Sequence, residues 1–381
     1  MRNIERNNFR IVTKKSNFAV RIHLKKTMNT EYLTQEAVKL LCRLVGIPRM
    51  SREEKDAADM LEAYMKNDCG MDVKREGNNL WCMAPGYEEG RPTLMLNAHI
   101  DTVKPTPAWK HDPHRATMEG DIIYGLGTND DGASLVSLLQ VFRSMQNEQL
   151  PYNLLLALSA EEEVSGKDGM EHLLTKLPKI DVALVGEPTG MHPAVAEKGL
   201  MVLDLTAHGV SGHAARNEGD NAIYHAIEDM AWLKDFRFPK ESPLLGPVKM
   251  TVTIVNAGTQ HNVIPSECQF TVDVRSNELY SNEEIFNIVK ENVKSEVKAR
   301  SFRLSSSRID IHHPLVEKAV SLGRKPFGSP TLSDQALMRF PSMKMGPGES
   351  SRSHTADEFI KFGEIHEAIA IYRSMLRDLV L

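Results

Sequence analysis

Residues 93–103 read TLMLNAHIDTV, and residues 154–163 read LLLALSAEEE. Each is an apolar run that ends in groups able to bind protons or metal: His99 and Asp101 in the first, Glu161, Glu162 and Glu163 in the second. Short, continuously apolar runs suit strands of a sheet covered on both faces. The design occurs a third time at 181–187, where Val182–Val185 leads into Glu187. Between the first two lies Leu135–Phe142, an apolar stretch read as a helix. Strands alternating with helices predict an α/β sheet, and such sheets gather ligands beyond the C-terminal ends of their strands.

Outward from this centre, Thr30 is a candidate cap for a first helix with Leu33, Ala37, Leu40, Leu41 and Leu44 at helical spacing. Ser51 and Glu54 have capping-box spacing ahead of a second helix. After Lys198 the pattern changes. Met201, Leu203 and Leu205 alternate with less apolar residues, Ala222–Trp232 and Ile285–Val293 read as helices, and Met250–Val255 and Gln269–Val274 read as strands. Antiparallel strands with helices on one face predict an inserted α+β domain, roughly 199–308. Residues 28–198 and 309–381 then form the main domain, closed by a final helix near 363–379.

Composition narrows the function classes. Apolar residues make 41% of the 381-residue chain and charged residues 25%, which suits a folded soluble protein rather than a disordered one. The net charge of −5 is unevenly placed. Residues 1–27 hold eight Lys or Arg and one acid, a sum of +7, so the remainder carries −12. An acidic body argues against nucleic acid as the partner. The sequence offers no run long enough to span a membrane and no convincing secretory signal. Cys42, Cys69, Cys82 and Cys268 form no close CxxC pair and no disulfide framework, which favours a reducing, cytoplasmic compartment. Residues 1–27 read as a disordered basic extension.

The polar residues at the strand ends form a pattern. His99 and Asp101, two apart, can face one side of a strand end, and imidazole with carboxylate suits zinc or a related ion. In isolation the pair reads equally as a solvated loop. Asp130 and Asp131 are adjacent acids that repel unless positive charge lies beside them, from a metal or a helix N-terminus. The glutamates at 161–163 read as metal-seeking or as a solvated turn. With Glu187 and His354, the set describes a carboxylate-rich divalent site with two imidazoles, more suited to a two-metal hydrolase than to a structural, cysteine-rich zinc site.

These segments, taken in order, resemble the co-catalytic zinc aminoacylase and carboxypeptidase superfamily, the M20 metallopeptidases. The resemblance rests on NAHIDTV at 97–103, GLGTNDDGA at 125–133, SAEEEVSGKDGM at 159–170, VGEPTG at 185–190, GVSGHAA at 209–215, NVIP at 262–265, DVR at 273–275 and GPGESSRSHTADE at 346–358. It covers about residues 30–381. It implies a zinc-peptidase-like catalytic domain with a mixed, largely parallel sheet, and an inserted antiparallel lid that dimerises. It implies His99, Asp130, Glu163, Glu187 and His354 as ligands of two zinc ions per subunit, with cobalt or manganese as substitutes. Asp130 is then the bridging carboxylate, Glu162 the general base, and Asp101 the acid that orients His99. His213 is the imidazole that reaches the partner subunit's site. Arg275 and Asn262 are candidates for holding a substrate carboxylate, and a cis peptide is implied after Asp130. Two positions depart from the family pattern: Glu161 stands where the family commonly has Asp, and Gly132 where it often has Lys.

What the resemblance implies is amide hydrolysis of a small N-acyl amino acid. The motif set is most similar to the acetylornithine deacetylase branch of arginine synthesis, with N-acetylcitrulline and N-succinylornithine as related substrates. Succinyl-diaminopimelate desuccinylase, aminoacylase and dipeptidase follow as alternatives, and a catalytically silent binding protein of the same fold is the alternative outside enzymes. Residues 1–27 carry little apolar material to bury. A chain starting at Met28 is therefore expected to melt and turn over like the full chain, as measured by thermal unfolding and steady-state assay; a large drop in either would show that the extension docks.

Overall fold

The computed structural model describes residues 28–216 and 218–381, so the expectation for residues 1–27 lies outside the described residues. The chain forms two compact units. The first holds the chain up to Ile180 with Gly186–Met191 and Met345–Leu381; the second holds Asp181–Val185 and His192–Lys344.

In the first unit four strands lie in the order Lys74–Glu76, Asn79–Met83, Asn153–Ser159 and Thr93–His99. The first two pairings are antiparallel and the last is parallel, with Thr93 opposite Asn153 and His99 opposite Ser159. Both parallel strands are buried along their whole length, as their apolar runs predict. Three helices, Thr30–Val45, Ala133–Met145 and Phe362–Arg377, pack on one another, and Ala133–Met145 also packs on the two parallel strands. Leu33, Leu41, Leu138, Phe142, Ile365 and Tyr372 are completely buried in these helices. A small antiparallel sheet joins Phe359–Lys361, Ile122–Tyr124 and Thr117–Glu119.

Two local expectations are corrected. The first helix is capped by Asn29, whose side chain accepts from Tyr32 N–H, rather than by Thr30. The Ser51–Glu54 capping box does not form, because both residues have tertiary partners. Ser51 donates to Asp101 Oδ2 at 2.7 Å, and buried Glu54 accepts from Arg52 N–H, Asn78 Nδ2 and Glu161 N–H. The spacing is genuine, but a buried carboxylate binds whichever donors the fold brings to it.

The second unit contains strands of the mixed nine-stranded sheet, an antiparallel sheet of its own and a two-stranded ribbon. Strands Val182–Val185, Ser342–Lys344, Ala194–Glu197 and Ser307–Arg308 lie in that order, with Phe327–Ser329 also paired to Ala194–Glu197. The other sheet is antiparallel, in the order Lys249–Ala257, Glu267–Arg275, Met201–His208 and Glu296–Ala299. Met201, Leu203, Leu205, Phe270 and Val272 face a core with Leu233 of helix Ala222–Asp235 and Ile285 and Val289 of helix Asn282–Asn292. The mixed α/β sheet and the antiparallel sheet with its helices agree with the fold class read from the sequence. Among the described residues no helix is long and apolar enough to cross a membrane.

Candidate metal centre

Parallel pairing of Thr93–His99 with Asn153–Ser159 brings two chain segments out of the sheet side by side. One continues to Asp101 and the other turns through Glu161–Glu163. Asp101 joins them. Its Oδ1 accepts from Glu162 N–H at 3.0 Å, and its Oδ2 accepts from Glu163 N–H at 3.1 Å and from the Ser51 hydroxyl. His99 Nδ1 lies 3.1 Å from the Asp101 backbone carbonyl and 3.5 Å from its Oδ1. Asp101 therefore fixes the ring from behind while tying down the turn that carries the glutamates.

On its other side His99 meets Asp130, whose Oδ1 lies 3.1 Å from Nε2. The second oxygen of Asp130 lies 3.6 Å from Nε2 of His354, and the same nitrogen is 2.8 Å from Glu163 Oε2. One carboxylate thus stands between two imidazoles. Ligand atoms of His99, Asp130 and Glu163 all lie within 4.8 Å of one another. Glu187 is buried beyond Val182–Val185, outside that group of three, with its backbone packed against Gly346.

The loop carrying Asp130 is set by its own backbone. Gly127 has φ +70, and a Cβ there would collide with the buried Arg49 guanidinium, which donates to the Gly127 carbonyl at 2.9 Å. The Asp130–Asp131 peptide is cis, as the resemblance implies. Asp131 accepts from His99 N–H. Glu358 accepts from the N–H groups of Gly127, Asn129 and Asp130 at 3.0, 2.8 and 2.9 Å. Sequence reasoning gave no role to Arg49, Asn129 or Glu358. The only hint was that Glu358 ends the motif containing His354.

Electrostatics mark the place where positive charge is wanted. Burial opposes charging His99, but hydrogen bonds to Asp101 and Asp130 and the nearby Glu162 charge outweigh it and hold the imidazole well above its usual pKa. His354 is raised to about 8, chiefly by its hydrogen bond to Glu163. Burial pushes the Asp101 carboxyl up, yet its bonds with His99, Ser51 and Glu163 N–H bring it below the ordinary value. Oxygen and imidazole donors without thiolate fit zinc, cobalt or manganese. The donor set therefore suits a divalent cation.

The remaining candidates lie in the second unit. His213 is exposed on the short ribbon where it pairs with Val263, and its Nδ1 accepts from Ala215 N–H. The same ribbon brings Asn262 close, because its carbonyl accepts from Ala214 N–H. Arg275 ends its strand in a bidentate pair with Asp273, at 2.9 and 3.1 Å.

Comparison with known proteins agrees with this geometry. The model of peptidase family M20/M25/M40 matches residues 95–378. A succinyl-diaminopimelate desuccinylase of Corynebacterium glutamicum is 27% identical over 376 residues, covering 91% of this chain and 97% of the relative. An acetylornithine deacetylase of Proteus mirabilis is 26% identical over 317 residues, covering 77% and 81%. Desuccinylases outnumber acetylornithine deacetylases among such relatives. In fold, the chain is similar to a tripeptidase from Staphylococcus aureus, with TM-score 0.71, 21% identity, and coverage of 90% of this chain and 98% of that one.

The raised imidazole pKa values set a pH dependence. A protonated imidazole is not a ligand, so protons compete with metal below about pH 8 at His354. Metal affinity is expected to rise from pH 6 to pH 8, by up to about tenfold per pH unit for each proton displaced. The metal-free protein should behave oppositely. The contribution of the His354–Glu163 contact is complete below the ordinary imidazole value of 6.5 and is lost as pH rises through about 8. Titration of stripped protein with a chromogenic chelator as competitor measures the first effect, and pH-independent affinity across this range would contradict it.

Proposed function

The chain belongs to peptidase family M20/M25/M40, and from that premise we propose that it hydrolyses the amide bond of an N-acyl amino acid using two divalent cations. The observation that carries this reading is the position of Asp130, with one oxygen toward His99 and the other toward His354. A carboxylate shared in this way suits two cation positions. His99 and Glu187 would hold one cation, and Glu163 and His354 the other, with zinc as the natural occupant. When bound, the cations supply Lewis acidity that lowers the pKa of water and polarises the scissile carbonyl.

The protein's own groups do the rest. Glu162 takes a proton from the attacking water and returns it to the leaving amine, which would otherwise depart as a poor leaving group. Asp101 fixes Glu162 through its backbone N–H and holds His99 in one orientation. His213 donates to the developing oxyanion from the partner subunit of a homodimer. Residues 199–308 are the proposed lid and dimerisation domain. Its edge strand Lys249–Ala257 exposes Ile254 and Val255, and its helix exposes Tyr224 and Ile227, an apolar surface suited to pairing. The four cysteines are unpaired, in keeping with a cytoplasmic site of action.

For the substrate, the order read from the sequence is reversed. Relatives that are succinyl-diaminopimelate desuccinylases support that reaction ahead of acetylornithine deacetylation. Charge supports it too. Lys249 lies directly opposite Arg275 across an antiparallel pair, where like charges repel, and both act on the half-buried Lys198, whose pKa is lowered first by burial and then by these two neighbours. Asp273 offsets one of these three charges through its pair with Arg275, and the excess positive charge that remains suits a substrate with more than one carboxylate. Arg275 is proposed to hold one of them, and Asn262, which precedes the opposite end of the same strand, is a separate candidate.

Glu162→Gln should keep its metal while losing at least about two orders of magnitude in turnover. In a panel of N-succinyl-diaminopimelate, N-acetylornithine and neutral N-acyl amino acids, the succinyl compound should give the highest kcat/KM. A preference for acetylornithine would restore the first order, and a mutant with full turnover and both metals would place the base elsewhere. Mixing Glu162→Gln with His213→Ala after dissociation should rebuild one complete site per heterodimer. Random equal pairing would then recover about a quarter of wild-type activity. Verified heterodimers without activity would rule against action across the interface.

A further inference from the structure

His354 and Asp130 come from loops more than two hundred residues apart in sequence, yet a reciprocal set of buried hydrogen bonds holds those loops together. From the Asp130 side, the Asn129 amide reaches across. Its Nδ2 donates to the Glu349 carbonyl at 3.1 Å and to Ser353 Oγ at 3.2 Å, and its Oδ1 accepts from Glu349 N–H at 3.0 Å. From the His354 side, the Glu358 carboxylate reaches back to the N–H groups of Gly127, Asn129 and Asp130, as described above, and the Glu358 carbonyl accepts from Gly125 N–H. Ser353 is part of the same set, because its hydroxyl accepts from Asn129 Nδ2 one residue before His354, and its proximity helps to lower the pKa of the Asp130 carboxyl. Asn129 is completely buried and Glu358 is 2% exposed. Gly348, at φ +82, makes the approach possible, since a Cβ there would collide with Asn129 Oδ1.

We propose that Asn129 and Glu358 form a clasp that positions His354 against Asp130, and that this clasp governs one of the two cation positions selectively. His99 is held independently, by Asp101 and by its strand. His354 lies in a loop with its side chain 54% exposed, and the clasp fixes the segments on both sides of it. The inference rests on the proposed two-cation reading and adds to it. Loosening the clasp should weaken the position flanked by Glu163 and His354 far more than the one flanked by His99, because Asp130 serves both but His354 depends on the clasp while His99 is held by its strand. Neither clasp residue is a ligand; each acts through the residue it positions.

The test uses the full chain, stripped of metal and titrated with Co²⁺, with metal content, visible spectrum and thermal melting as readouts. Wild type should bind about two ions per chain. Asn129→Ala and Glu358→Gln should still melt cooperatively and bind one ion with near wild-type affinity. Affinity for the other should fall by about 10- to 100-fold, with loss of one set of cobalt bands. The glutamine amide cannot accept from all three N–H groups, because its NH₂ faces a donor. Retention of both ions at wild-type affinity overturns the clasp, and so does parallel loss of both, which is the mark of a merely structural role. Wild type that binds fewer than two ions would instead defeat the two-cation reading beneath it. If Asn129→Ala does not fold, Ser353→Ala, which removes a single link, decides by the same selective loss at smaller size.

Discussion

The parallel register that sets His99 opposite Ser159 is the constraint from which the site is built. Because the two strands run the same way, they end together. The residues just past each end, Asp101 on one side and Glu162 and Glu163 on the other, come within hydrogen-bonding reach. An antiparallel pairing would send these groups to opposite ends of the strands. With Asp101 fixed to the neighbouring turn, His99 has one carboxylate behind it and one in front, and its position becomes a property of the sheet rather than of a flexible loop.

Crowding so many acids into one place is costly, and the chain meets that cost largely with its backbone. Asp101 takes two N–H groups, Asp131 one and Glu358 three. Arg49, buried beneath the same loop, contributes a fixed positive charge; burial lowers its pKa only to about 10, so it stays charged at neutral pH. The imbalance that remains falls on the imidazoles, which are driven toward their protonated forms. A site that draws protons onto histidine in this way also draws divalent cations.

The second unit has a different logic. Its antiparallel sheet and helices make a core of their own, and its polar candidates sit on a ribbon and at strand ends rather than at the ends of a parallel pair. His213, Asn262 and Arg275 are exposed or only partly buried. Such residues can contact a substrate or a second subunit without the burial cost carried by the metal-seeking groups.

Much of this was legible in the sequence. Continuous apolar runs ending in His99 and Glu163 specified buried strands with polar ends, because only a sheet covered on both faces has use for them. The alternation at Met201–Leu205 specified the separate antiparallel sheet, because a period of two has one physical reading. The first helix is capped locally, by Asn29 one residue before the position read from the sequence, whereas the fate of Ser51 and Glu54 was decided by tertiary structure. A side chain with capping geometry will leave its own helix for a better-placed partner, and those partners, Asp101 and the Glu161 N–H, lie 50 and 107 residues away. The clasp of Asn129 and Glu358 was invisible for the same reason. Hydrogen-bond partners more than two hundred residues apart leave no periodicity, and only the folded chain brings them together.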